Sequence, residues 1–193
     1  FKNKEVIFDS PKIMGILNVT PDSFSDGGKY TSTSKALKQA QCMFNHGATF
    51  IDVGGESTRP GAKDICVNEE LDRVIPIIEE ISTELDILIS IDTSKAEVME
   101  EAINAGASLI NDVRSLQMPN ALNTAARLAK ELDVPSCIMH MQGTPKSMQQ
   151  APTYNSVVDD VLAFMKQQIT RLTRAGFKNS QIIIDPGFGF GKT

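Results

Sequence analysis

Short apolar runs, each closing on a polar residue, recur along the chain at residues 13–19, 50–53, 87–92, 109–113, 136–140 and 182–185. Their β-branched content suits strands buried on both faces of a parallel sheet. Helical patterns lie between most of them. Residues 35–46 put Ala36, Leu37, Ala40, Met43 and Phe44 on one face, and Gly47 is placed to stop the helix. Residues 69–85 repeat the device with Leu71, Val74, Ile75, Ile78, Ile81 and Leu85, and Pro76 is expected to kink that helix. Ser94 and Glu97 have the spacing of a capping box for a helix that Gly106 ends. Residues 121–132 are rich in alanine and leucine, and Asn155 is a candidate N-cap for a long helix ending at Gly176.

Alternating strands and helices predict an α/β fold with a parallel sheet and right-handed crossovers. Six βα units fit either a doubly wound sheet or most of an eight-stranded barrel. The first helix follows a long loop and not a Gly-x-Gly-x-x-Gly turn, which disfavours a dinucleotide-binding fold. No linker or composition shift divides the chain, so residues 1–193 read as a single domain.

A formal net charge of −5, without a Lys/Arg cluster or an aromatic row, argues against a nucleic-acid partner. No apolar run is long enough to span a bilayer as a helix. Cys42, Cys66 and Cys137 show neither metal-ligand nor redox spacing, and reduced, buried thiols in a cytoplasmic protein are expected. The chain starts at Phe1 and stops inside a glycine-rich loop, so the domain is expected to be truncated at both ends.

Polar residues collect at the ends of the apolar runs: Asn18; Asp52 with Glu56; Asp92; Asn111 with Asp112; His140; Asp185. Any one acid there can simply cap the next helix, but six such ends in succession point to a shared pocket at one mouth of the sheet. After Asn18 comes a turn-rich loop, Thr20-Pro-Asp-Ser-Phe24-Ser-Asp26-Gly-Gly28, with more functional side chains than a bare connection needs. The loop after Asp52 combines a glycine pair, hydroxyls and a guanidinium in Gly54-Gly-Glu-Ser-Thr58-Arg59-Pro60-Gly61, a set suited to phosphate. No Ser/His/Asp or Cys/His set is evident, and His46 and His140 read as structural. Gly187-Phe-Gly-Phe-Gly-Lys192-Thr193 imitates a phosphate-binding loop, but Pro186 stands where its first glycine belongs.

Taken together, residues 18–28 and 52–61, followed by Ser90-Ile-Asp-Thr93, Ile110-Asn-Asp112, Met139-His-Met-Gln-Gly143 and Asp185-Pro-Gly-Phe-Gly-Phe-Gly-Lys192, resemble the dihydropteroate synthase family over essentially the whole chain. The resemblance implies a (β/α)8 TIM barrel of which about six of eight units are present. It implies a transferase of folate biosynthesis that joins 6-hydroxymethyl-7,8-dihydropterin diphosphate to p-aminobenzoate with Mg²⁺ assistance. By matched position, Asp92, Asn111, Met139 and Asp185 would bind the pterin. Asn18 would bind the metal and, with Thr58, the diphosphate. Phe24, Pro60 and Phe190 would form the p-aminobenzoate slot, also the sulfonamide site. Asp26 would face the developing pterin methylene cation, and Arg59 would help close the second loop. A lysine in a Ser-Arg-Lys motif, an Arg-x-His motif and the homodimer contact belong to family segments beyond Thr193. The alternatives are an inactive partial barrel, if Thr193 is a true terminus, and a pterin-dependent methyltransferase domain.

Overall fold

The computed structural model describes residues 1–2, 4–20, 29–57, 64–143, 148 and 152–192. Six strands, β1 (Ile13–Asn18), β2 (Ala48–Gly54), β3 (Leu88–Asp92), β4 (Leu109–Asp112), β5 (Ser136–Met139) and β6 (Ile182–Asp185), pair in parallel. They lie side by side in chain order. No strand is inserted between earlier ones, so the order never reverses, as it does in a doubly wound sheet. The connecting helices are α1 (Lys29–Asn45), α2 (Val67–Glu84), α3 (Ala96–Ala105), α4 (Ala121–Leu132) and α5 (Val157–Arg174). Helix α1 packs on α2, α2 on α3 and α3 on α4, a continuous layer against the sheet.

Strand side chains alternate between two faces. One set, Ile51, Val53, Ile89, Ile91, Ile110 and Ile138, is buried against apolar helix faces that include Ala40, Val74, Ile78, Ile81, Val98, Met99 and Leu128. The other set points to the opposite side. Phe50, Leu88 and Leu109 form a separate buried cluster there with Phe1, Val6, Met14, Cys137 and Ile183 packed against it. The Phe1 and Phe50 rings lie 5.3 Å apart and Phe8 stacks on Phe50, so the N-terminal segment covers the apolar end of the inner face. Further along the same strands the inner positions turn polar: Asp52, Ser90, Asp92, Asn111 and Asp185.

The helix boundaries correct several expectations. Helix α1 begins at Lys29, a turn and a half before Lys35. Helix α3 has no Ser94–Glu97 capping box: its N-cap is Lys95, and the Ser94 hydroxyl donates to Asp112 instead. The N-cap of α5 is Ser156, one residue beyond Asn155, with its hydroxyl accepting from the Asp159 N–H. Pro76 sits inside α2, on its exposed side. The three cysteines are free, but Cys42 and Cys66 are exposed; only Cys137 is largely shielded.

Candidate active site

The inner-face residues at the strand C-termini stand in lateral register. Asn18 of β1 pairs with Gly54 of β2, Gly54 with Asp92 of β3, and Asp92 with Asn111 of β4. Met139 of β5 pairs with Asp185 of β6. The ladder runs one residue past several strands: Val19 N–H donates to Gly54 O at 2.8 Å, Thr93 N–H to Asn111 O at 3.1 Å, and His140 N–H to Asp185 O at 3.0 Å. Asp92, Asn111 and Met139 therefore project from strands held on both sides, and Asn18 and Asp185 from outer strands held on one, a rigid support for a binding constellation.

Gly54 opens the row. A Cβ placed there would lie 3.3 Å from Asp92 Oδ2 and 3.5 Å from Asn18 Oδ1. The missing side chain leaves a gap bordered by a carboxylate oxygen and an amide oxygen. Burial holds the Asp92 carboxyl well above the usual carboxylate range, and the charges of Asp52, Asp112, Glu70 and Glu56 push the same way. Among the described residues no cation pairs with Asp92. It is an acceptor kept without a donor, and a donor-bearing ligand would relieve it.

Below the row, Asp52 is 3 % exposed and its Oδ2 accepts from Asn111 Nδ2 at 3.0 Å. Burial raises its carboxyl above the ordinary range, with Ser90 and Asn111 opposing. Asp185 Oδ1 accepts the Gly187 N–H at 2.7 Å, which folds the loop after β6 back across the mouth. Gly187 has φ +70°, and a Cβ there would collide with the His140 carbonyl. Met139 is 3 % exposed beside that loop. Met139 also lines a cavity of about 190 Å³ with Val113, Arg114, Met118, Met141 and Phe164. Phe190 is half-buried in the same loop, and Lys192 Nζ is held by the carbonyls of His140 (2.9 Å) and Phe190 (3.1 Å). That lysine stabilises the loop, which agrees with discounting a phosphate-loop reading.

Two polar neighbours at the strand ends, Asp112 and His140, take no part in this row. Asp112 faces the helices; it accepts from Ser94 Oγ, from Arg114 N–H at 2.8 Å and from Leu116 N–H at 2.7 Å, fastening the β4–α4 loop. His140 packs edge-on against Phe164 at 5.0 Å, and burial with Lys192 nearby lowers its pKa.

One cluster escaped the sequence reading. Lys95 Nζ bridges Glu56, at the base of the second loop, and the fully buried Glu70 of α2. Burial pulls the ammonium down, but the two carboxylates more than offset it and leave its pKa raised. Arg73 adds a bond to Gly55 O at 2.8 Å. The signal was available: Glu70 lies one helical turn before Val74 on the apolar stripe that continues to Ile78 and Ile81. Of the residues expected in the site, Asn18, Asp92, Asn111, Met139, Asp185 and Phe190 share this end of the sheet. Phe24, Asp26, Thr58, Arg59 and Pro60 lie outside the described residues.

A parallel sheet in chain order, carrying acceptor side chains together at its strand C-termini, is an α/β domain with one polar mouth. The chain belongs to the pterin-binding enzyme family, whose description is matched by residues 14–193. It is 54 % identical over 182 residues to the dihydropteroate synthase of Escherichia coli K12, covering 94 % of this chain and 63 % of that protein. It is 53 % identical over 191 residues to the dihydropteroate synthase of Haemophilus influenzae, covering 99 % and 68 %. The chain thus spans roughly two-thirds of these relatives. Among solved structures, Yersinia pestis dihydropteroate synthase in complex with a sulfonamide drug superposes with a TM-score of 0.89 at 50 % identity, over 97 % of this chain and 67 % of that one. The Xanthomonas albilineans dihydropteroate synthase with 4-aminobenzoic acid gives 0.86 at 46 % identity, over 96 % and 64 %.

Proposed function

We propose that the chain is the larger part of a dihydropteroate synthase. It condenses 6-hydroxymethyl-7,8-dihydropterin diphosphate with p-aminobenzoate and releases diphosphate, as one step toward folate in the cytoplasm. The observation that carries this reading is the row of acceptors across Gly54, with Asp92 unpaired among the described residues, Asn111 beside it on β4 and Asp185 at the same level on β6. A dihydropterin edge presents ring N–H groups and an exocyclic amine, and carboxylates that only accept are matched to it. Met139 offers the flat ring an apolar, polarisable contact.

The site also fits Mg²⁺. Among the described residues no three His, Cys, Asp or Glu side chains converge as a cage. The Asn18 amide oxygen beside the Gly54 gap is instead the kind of single hard donor that serves a cation retaining most of its waters. When bound there, the cation would neutralise charge on the departing diphosphate. The chain's own groups hold the reactants. Asp92, Asn111 and Asp185 fix the pterin, and Asn18 and Thr58 direct its diphosphate toward the second loop. Phe24, Pro60 and Phe190 form the slot for the aryl amine, with Arg59 closing over it. Asp26 faces the positive charge that spreads over the pterin as the leaving group departs. The aryl amine is neutral near pH 7 and attacks without a strong base, in keeping with an imidazole-free row. The remaining two units of an eight-stranded barrel and a homodimer contact complete the protein in this reading.

The test is diphosphate release by the full chain from the pterin diphosphate and Mg²⁺, with and without p-aminobenzoate. Release that depends on p-aminobenzoate and is blocked by a sulfonamide is expected. Release indifferent to p-aminobenzoate, or none at all from a folded protein, overturns the proposal.

A further inference from the structure

Asp52 is 3 % exposed, and among the described residues no ion pair compensates it. It lies on the inner face of β2, two residues before Gly54, and the side chains that face its carboxyl, Ser90 and Asn111, are both neutral. Burying a carboxylate in this way costs stability unless the group has a task. Its Oδ2 accepts from Asn111 Nδ2 at 3.0 Å. An ionised carboxylate accepts and never donates, so only the NH₂ end of the Asn111 amide can face it. The two ends of a planar amide point apart. With the NH₂ committed to Asp52, the Asn111 carbonyl oxygen is the end left to face elsewhere.

We infer that Asp52 is a positioning residue: by holding the Asn111 NH₂, it presents the Asn111 carbonyl oxygen to the ligand and makes the whole row, Asp92, Asn111 and Asp185, a set of acceptors. This rests on the pterin reading above. An asparagine free to turn over would offer its own N–H groups to the N–H groups of the pterin edge, donor against donor. Asp52 removes that orientation without touching the ligand. The backbone supports the arrangement, because Asn111 O accepts the Thr93 N–H at 3.1 Å and ties the β4 end to β3 while the side chain is tied to β2.

The experiment is a double-mutant cycle in the full chain, reading dihydropterin diphosphate affinity by calorimetry and KM for both substrates. Asp52→Asn, which can pair with Asn111 in either sense, is expected to weaken pterin binding about fivefold, and Asp52→Leu about twentyfold. KM for p-aminobenzoate should stay within about twofold in each variant. In an Asn111→Ala background both Asp52 changes should be nearly silent, because Asp52 acts through that amide. A purely structural Asp52 would weaken binding by the same factor in both backgrounds, and that result overturns the inference. So does unchanged affinity in the single variants. If Asp52→Leu fails to fold, the Asp52→Asn arm decides alone. Wild-type protein that does not bind the pterin at all would count against the proposed function, a result separable from silent Asp52 variants of a protein that does.

Discussion

At Asp92, affinity and stability pull in opposite directions. Its folded-state pKa is raised above the ordinary 3.8, chiefly by burial. Such a group favours the folded state while protonated, below about pH 3.8, and loses that contribution as pH rises through its folded pKa. Near neutrality the ionised side chain is therefore a net cost to the ligand-free protein. Asp92→Asn should unfold at a higher temperature than wild type at pH 7, with the gap closing as pH falls toward 4, in thermal melts across that range. The same variant should bind dihydropterin diphosphate roughly ten- to hundredfold more weakly, since one charged hydrogen-bond acceptor is lost. Equal melting temperatures at all pH values would mean that Asp92 is solvated well enough to ionise freely. Asp112, more buried still, is also raised by burial, but a hydroxyl and two backbone N–H groups oppose that rise, where Asp92 has only further negative charges around it.

The strands were legible because each is a short apolar run with a polar stop, and a strand in register with its neighbours carries that stop to a common level. The helix starts were less legible. Asn155 and Ser156 are adjacent and both are good caps by residue type; only the backbone path decides which side chain reaches the third helical N–H, and it is Ser156. Ser94 has the spacing of a cap, but Asp112, eighteen residues later, captures its hydroxyl, a long-range contact that no local pattern encodes. The same limit hid Lys95 between Glu56 and Glu70, and Asp52 beneath Asn111: a strand-end acid announces itself, while its partner on another strand does not. Ser156→Ala should cost about 1 kcal/mol in denaturant-induced unfolding, and Asn155→Ala only a small fraction of that. Equal losses would return the capping role to Asn155.

Across the molecule, the acids on the inner face act on one another. Cys137, on the same face as Asp185, Asp52 and Asp92, has its thiol pushed up to about 12 by burial and by those charges, so it stays protonated and inert. Among the described residues the outer strands β1 and β6 are unpaired on one side, and they carry the exposed Ile13, Ile16 and Ile184. A polypeptide of residues 1–193 alone is expected to associate with increasing concentration in sedimentation experiments, through these edges. Ile16→Lys together with Ile184→Lys should reduce that association; a monomer at all concentrations would show that the edges are shielded.

The chain-ordered sheet also bears on how the protein is made. Each strand neighbours the one that precedes it in the chain, so it can dock on that strand without waiting for a later segment. A ribosome adding on the order of 5–20 residues each second would therefore release one βα unit every few seconds onto an edge already waiting for it. Asn18, Asp92, Asn111 and Asp185 leave the ribosome in that order, each on a different strand. The nascent chain acquires its shape by stages, and the row proposed to hold the pterin is complete only when β6 has emerged.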